Sequence, residues 1–101
     1  MSTEPYAEVI YGWDLSALAQ NNSITDEIWE ILDNIDHVYD YYSGKFLIIG
    51  TSLGRASGIK VTSINKITKE NEYKAYQALE QITSFFKTKE PPQLFLTSCY
   101  R

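Results

Sequence analysis

The first 43 residues of this chain contain no lysine and no arginine, although they carry nine aspartate and glutamate residues. All nine basic residues lie in the rest of the chain beside only four acidic ones, so the net charge of −4 conceals two oppositely charged halves. Direct nucleic-acid binding requires a basic footprint, which a sequence pI near 4.8 opposes. The charge pattern favours a basic partner for the first half of the chain.

Other chemical groups are equally scarce. The one cysteine, Cys99, excludes an internal disulfide framework and a multi-cysteine zinc site. No run approaches the roughly 20 apolar residues of a membrane helix. Residues 1–5 lack the basic start and apolar core of a secretory signal. We therefore expect a cytoplasmic protein, located in the host cytoplasm if the source is a virus.

Catalytic and metal-binding patterns are also missing. The one histidine, His37, would have to meet Cys99 in space for the two to act as base and nucleophile. Asp33 and His37 lie one helical turn apart, but two ligands do not hold a structural zinc. Segment 50–57 lacks the spacing of a phosphate-binding loop, which leaves Arg55 as an isolated anion contact. We predict no catalytic residue, no metal and no cofactor, and hence a protein that is not an enzyme.

The chain does contain enough apolar and aromatic residues for one folded core. Its 101 residues are 44% hydrophobic and 14% aromatic, which offsets the entropy of ordering one domain, but the chain is too short for two. Runs of β-branched and aromatic residues predict strands, and apolar residues three or four positions apart predict helices. The predicted strands are 7–13, 37–42, 45–53, 59–64 and 93–99, and the predicted helices are 26–34 and 69–87.

Local signals mark where these elements begin and end. Thr25 and Thr68 are suitable N-caps, and each is followed by acidic residues that the helix dipole favours in the first turn. The Ser-Gly pair at 43–44 predicts a tight hairpin, because glycine accepts a positive φ without steric cost. The polar stretch 16–23 predicts a loop, and the glycine-flanked residues 54–58 predict a turn.

Strands that follow one another through short turns favour an antiparallel sheet. We therefore predict one α+β domain over residues 1–101, with two layers and the order β-α-β-β-β-α-β. About five mostly antiparallel strands would carry two helices on one face. An unpaired strand at the sheet edge, either 93–99 or 7–13, would recruit a second copy, so a homodimer is a further expectation.

Acidic side chains and tyrosines recur together in the segment that follows Thr25. Three of the acids repeat at helical spacing, and like charges at this spacing destabilise a helix by roughly 0.2–0.5 kcal/mol per pair, so folding does not require them. Tyrosine adds contact area at low entropic cost, which suits a protein-binding surface. We predict a surface for a basic protein partner, formed by Asp26, Glu27, Glu30, Asp33, Asp36, Asp40, Tyr39 and Tyr41. The simpler interpretation is a solvated helix face whose charges pair with the basic second half after folding.

The size, acidity and Tyr-, Ile- and Asn-rich composition of the chain resemble those of small proteins that bacteriophages make against host defences or host enzymes. Anti-CRISPR proteins and DNA mimics belong to that class, and bacterial immunity proteins have a similar profile. The resemblance is one of type and is carried by no motif. It implies a stoichiometric inhibitor or adaptor that binds a protein.

A function of another class is a small-molecule or nucleotide-binding domain. Its pocket would lie between the sheet and the helices, lined by Trp13, Trp29 and tyrosines, with Arg55 as the anion contact. The sequence leaves these two interpretations open.

Overall fold

Four strands and three helices form two layers in the computed structural model, which describes residues 5–21, 24–40, 46–58, 61, 63–64 and 66–100. The side chains of Pro5, Asn21, Cys99 and Tyr100 lie outside that description. The elements, in chain order, are β1 Pro5–Asp14, α1 Ser16–Asn21, α2 Asp26–Leu32, β2 Asp36–Tyr39, β3 Leu47–Ser57, α3 Lys69–Gln81 and β4 Gln93–Tyr100.

The sheet has the strand order β2-β3-β1-β4, and every neighbouring pair is antiparallel. β3 is central, and all residues from 47 to 51 are buried, as the continuous apolar run predicts for a strand covered on both faces. β4 is an edge, as predicted. The alternative edge at 7–13 is wrong, because β1 lies between β3 and β4.

All three helices pack against one face of the sheet. Side chains from β1 and β3 share a single apolar cluster with α1, α2 and α3, and Ile49 at its centre is fully buried. A smaller cluster lies on the opposite face, because successive side chains of a strand point to opposite sides. That cluster consists of Ile10, Val38 and Ile48, with Phe46 and Phe95 packed against it. The predicted α+β class, with helices on one face of an antiparallel sheet, is confirmed.

Two sequence-based predictions about strands are wrong. Residues 54–58 do not form the predicted turn, because β3 continues to Ser57, which lies opposite Tyr6 of β1. A shift of register between Val9 and Ile10 absorbs one extra β3 residue and lets the pairing continue. The strand predicted over 59–64 does not form at its described residues, and Val61 is 99% exposed there. The predicted hairpin at 43–44 lies outside the described residues.

The helices also differ from prediction. α1 replaces the loop predicted over 16–23, because Leu15 is buried in the apolar cluster and docks this short helix, which propensity alone would not stabilise. α2 ends at Leu32, two residues before its predicted end. α3 begins at Lys69 as predicted but ends at Gln81, six residues early. Thr83 lies just beyond that end and donates its hydroxyl to the Leu79 carbonyl, 3.1 Å away.

Candidate functional site

The helix α2 and its C-cap carry four of the eight predicted partner-binding residues. Thr25 caps its N-terminus, as predicted, and its Oγ1 accepts a hydrogen bond from the Ile28 backbone N–H at 3.4 Å. Ile28 and Leu32 are buried, so the opposite side of the helix faces solvent. We call the exposed carboxylates of α2 and the start of β2 the acidic surface; they are Asp26, Glu27, Glu30, Asp33 and Asp36.

The acids at the two ends of α2 differ in their effect on its stability. Asp26 and Glu27 occupy the first turn, where the helix dipole favours negative charge. Glu30 lies in the last turn and Asp33 is the C-cap, where the dipole favours positive charge, yet that turn carries no basic residue. An acid at the C-terminal end of a helix typically costs about 0.3–1 kcal/mol. Helix stability therefore does not explain why residues 30 and 33 are acidic.

Asp36 begins the short strand β2, and Asp40 follows its last residue. Asp36 is exposed, and its Oδ2 accepts a hydrogen bond from the Ser52 backbone N–H at 2.9 Å, which ties the start of β2 to β3. Asp40 is half-buried, and its backbone N–H donates to the Phe46 carbonyl at 3.1 Å. Asp36 thus combines exposure with a structural hydrogen bond. Tyr41, the last member of the predicted set, lies outside the described residues.

An aromatic cluster joins α2 to β2. The half-buried rings of Trp29 and Tyr39 meet edge to face, with centroids 5.3 Å apart and an interplanar angle of 86°. His37 lies on β2, the same strand as Tyr39, and the centroid of its ring is 6.4 Å from that of Trp29. Its Nδ1 is 3.1 Å from the Ile35 carbonyl oxygen. Sequence reasoning did not assign Trp29 and His37 to this site. The available signal was Trp29's position within α2, among the acids.

The acidic surface has no basic side chain paired with it in the part of the chain that the structure describes. None of its five carboxylates forms an ion pair there. Among the residues that the structure describes, an ion pair joins Lys74 Nζ to Glu70 Oε1 within α3, at 3.4 Å. Direct pairing of the acidic surface with the basic second half is therefore not observed at these positions.

Arg55 lies in a different part of the molecule. It is exposed on β3 directly opposite Glu8 of β1, whose carboxylate accepts a hydrogen bond from the Tyr6 hydroxyl. Arg55 is among the residues that line an open groove of about 290 Å³ on the sheet. The other groove-lining residues are mostly apolar: Ala7, Glu8, Val9, Gly54, Ala56, Val61, Ile64 and Leu96.

That groove is not the aromatic pocket predicted from the sequence. Neither Trp13 nor Trp29 lines it. Trp13 is only 4% exposed, belongs to the main apolar cluster, and donates its indole N–H to the Glu90 carbonyl at 3.0 Å. Trp29 packs against the same cluster. The groove beside Arg55 therefore does not include the two tryptophans, and a ligand site that uses all three residues stays a prediction.

The residues named for catalysis or metal binding are not brought together. His37 is on β2 and Cys99 on β4, which are opposite edges of the sheet with two strands between them. Adjacent strands are about 4.8 Å apart, so this separation alone is about 14 Å. Within the described ranges, no group of three or more His, Cys, Asp and Glu side chains is placed to hold a metal ion.

Comparisons with known proteins add no family to this picture. No protein-family model matches the chain, and neither a curated protein nor a solved structure matches it. None of the described helices has the length and apolar character needed to cross a membrane. The function is therefore inferred from the geometry and charge of the chain's own residues.

Proposed function

We propose that this protein is a stoichiometric protein-binding module, an inhibitor or adaptor, whose acidic surface contacts a basic site on its target. The observation that carries the proposal is the arrangement of that surface. Four exposed carboxylates lie on α2 or at its C-cap and a fifth begins β2, and none of them forms an ion pair among the described residues. Two of them, Glu30 and Asp33, occupy helix positions where negative charge lowers stability.

Electrostatics would make such a surface effective in recognition. Opposite charge on a partner raises the rate of association and suppresses unsuitable partners, more than it raises affinity by itself. Because the carboxylates are exposed, their interactions are screened over about 8 Å at physiological ionic strength. Association should therefore slow steeply as salt is added.

The aromatic cluster can supply the binding energy that exposed charges contribute only weakly. Carboxylates at an interface rim contribute little binding energy, whereas aromatic rings at its centre supply buried area with few rotatable bonds. Trp29 and Tyr39 are half-buried and lie on α2 and β2, the two elements that carry the acidic surface. A partner that places basic side chains against the carboxylates and apolar groups against these rings would use both features.

The chemistry of this surface suits a basic groove, such as the one in which a nucleic-acid-binding protein holds a phosphate backbone. A bacteriophage inhibitor of host defence and a bacterial immunity protein would both fit that description. The identity of the bound protein distinguishes these roles. An affinity capture from the native host would supply it.

The decisive experiment reverses charge on α2 and compares it with an equal reversal elsewhere. The test variant combines Asp26→Lys, Glu30→Lys and Asp33→Lys. The control combines Glu72→Lys, Glu80→Lys and Glu90→Lys, which are also exposed and change the net charge by the same amount. We expect the test variant to lose binding to the captured partner, measured by calorimetry, while the control retains most of it. Unchanged binding by a folded test variant would overturn the proposal.

A second candidate function, small-ligand binding, is favoured by the groove beside Arg55. Its volume of about 290 Å³ is just below the range of roughly 300–1,000 Å³ typical of ligand pockets, and Arg55 is the one basic residue among those that line it. A ligand that binds only the folded state must raise the melting temperature. A thermal-shift screen of nucleotides and anionic metabolites, repeated with Arg55→Ala, tests this function. A panel that shifts neither protein counts against it.

A further inference from the structure

The two edges of the sheet are protected very differently. β2 has four residues, begins at Asp36 and is followed by Asp40, and shortness and charge are the usual devices against unwanted strand pairing. β4 has eight residues with the sequence QLFLTSCY, which contains no charged residue, no proline and no glycine. It pairs with β1 in one uninterrupted register. β4 is therefore a long, regular and uncharged edge, which is a template for pairing with another strand.

The side chains of β4 that face the helix layer are also exposed. Leu94 lies opposite Tyr11 and Leu96 opposite Val9, so both leucines are on the sheet face that carries the helices. Leu94 is 55% exposed and Leu96 is 77% exposed. Leu96 also lines the groove beside Arg55, so the edge continues into an apolar surface.

We propose that β4 pairs antiparallel with β4 of a second copy of this chain, across a two-fold axis perpendicular to the sheet. With Phe95 on the axis, Leu94 of each copy lies opposite Leu96 of the partner subunit. A two-fold axis of this orientation keeps the helix layers of both copies on one face. Directly opposed apolar residues typically stabilise an antiparallel pair, so this register joins the exposed leucines with each other. The result is a continuous eight-stranded sheet.

A second copy fits this edge better than an arbitrary strand because of where the charge lies. Two chains of net charge −4 repel each other, but repulsion between exposed charges is screened beyond about 8 Å. The acidic surface lies at the β2 edge, since Trp29 of α2 packs against Tyr39 of β2. The strands β3 and β1 separate that edge from β4. Two copies can therefore meet at β4 with their acidic surfaces far apart.

The size of the shared edge predicts a weak dimer. With Phe95 on the axis, residues 93–97 of the two copies overlap, and five residues at about 3.4 Å each give a shared edge of about 17 Å. Taken across the 20 Å of the molecule's thinnest axis, contact over that edge would bury about 340 Å² of each copy, or about 680 Å² in total, which is in the range of weak and transient association. We therefore expect a dimer that dissociates on dilution.

This dimer goes beyond the proposed function, and the two can fail separately. If both hold, each dimer presents two acidic surfaces at the outer edges of one sheet. Such a pair would bind a symmetric or repeated basic target with added avidity. Charge reversal on α2 should leave the dimer unchanged, and disruption of β4 should leave the binding of a single partner site unchanged.

Sedimentation equilibrium of the purified full-length chain tests the proposal. We expect a monomer–dimer equilibrium between the mass of 11.6 kDa and twice that value. Leu96→Lys places two charges in the proposed interface and should weaken dimerisation at least about 100-fold. The control, Tyr73→Lys, alters a residue on α3 that is 65% exposed and should have no effect. A wild-type chain that stays monomeric at hundreds of micromolar, or a dimer that Leu96→Lys leaves intact, would overturn the proposal.

Cross-linking tests the register without relying on a destabilised variant. In a Cys99→Ser background, chains with Leu94→Cys are mixed with chains with Leu96→Cys under mild oxidation. Opposed residues have Cα atoms about 4.5–5.5 Å apart, which permits a disulfide. We expect cross-linked dimers from the mixture and much less from either variant alone. Equal cross-linking in all three samples would reject the register with Phe95 on the axis.

Discussion

Gly12 of β1 lies directly opposite Gly50 of β3, and neither position has room for a β-carbon. A β-carbon on Gly12 would lie 1.9 Å from the Ile49 carbonyl oxygen, and one on Gly50 would lie 2.2 Å from the Tyr11 carbonyl oxygen. Gly50 also has a φ of +151°, which other residues rarely adopt. The two central strands therefore approach closely here, at the point where Asp36 of β2 joins the sheet opposite Gly50. The glycine pair thus helps to position one member of the acidic surface.

Gly12→Ala should destabilise the protein by about 2–4 kcal/mol, because the new methyl group overlaps backbone atoms that cannot move without separating the strands. Urea denaturation measures this change in the free energy of unfolding. Gly58→Ala is the control, since a β-carbon there meets nothing within 4 Å and only its φ of +68° opposes the change. The control should cost about 1 kcal/mol. Equal losses in the two variants would show that close approach at Gly12 is unimportant.

Charge reversal at the two ends of α2 should have opposite effects on stability. Asp33→Lys places a cation at the C-cap and should stabilise the fold by about 0.5 kcal/mol, whereas Asp26→Lys should destabilise it by a similar amount. Both variants should weaken binding of a basic partner. Paired urea denaturation and binding measurements check this prediction, and both stability effects should shrink in high salt. If binding instead became stronger in Asp33→Lys and weaker in Asp26→Lys, in step with stability, the acids would affect binding only by changing the stability of the fold.

The protein should lose stability above pH 10 through Tyr11. Burial, the carboxylate of Glu72 and the nearby Tyr76 raise the pKa of Tyr11 above its ordinary value of 10.0. Above pH 10 the unfolded chain therefore releases this proton while the folded protein still holds it, so the free energy of unfolding falls as pH rises. Below pH 10 both states are protonated and Tyr11 contributes no slope.

Tyr11→Phe should reduce that alkaline loss, measured as the free energy of unfolding at pH 8 and at pH 11. Glu72→Gln should reduce it in part, because it removes one of the causes of the raised pKa. Glu80→Gln, the same change of charge elsewhere on α3, is the control. An alkaline loss of equal size in Tyr11→Phe and wild type would contradict the assignment.

The sequence by itself determined the features that depend on neighbours a few residues away. Thr25 and Thr68 predict where α2 and α3 begin, and both act as N-caps in the structure. The apolar run at the start of β3 marks a strand buried on both faces. The α+β class follows from the order of such elements, because an antiparallel sheet with one apolar face needs helices to cover it.

The acidic surface was predictable in part for the same reason. The spacing of the acids within α2 places them away from Ile28 and Leu32 once the helix forms. The packing of Trp29 on Tyr39 was not visible, because it joins a helix to a strand through a turn whose path depends on the sheet. The absence of ion pairs at these carboxylates, among the described residues, likewise depends on where the basic half of the chain lies.

Only the tertiary structure decided which strand is an edge and where several elements end. β3 passes through the predicted turn at 54–58 because β1 offers it a partner that lies more than 40 residues earlier in the chain. α1 forms because Leu15 docks into a core assembled from distant segments. Strand pairing and core docking depend on contacts between residues far apart in sequence, which local patterns do not encode. The uncharged edge at β4, and with it the proposed dimer, exists only because β1 is placed inside the sheet.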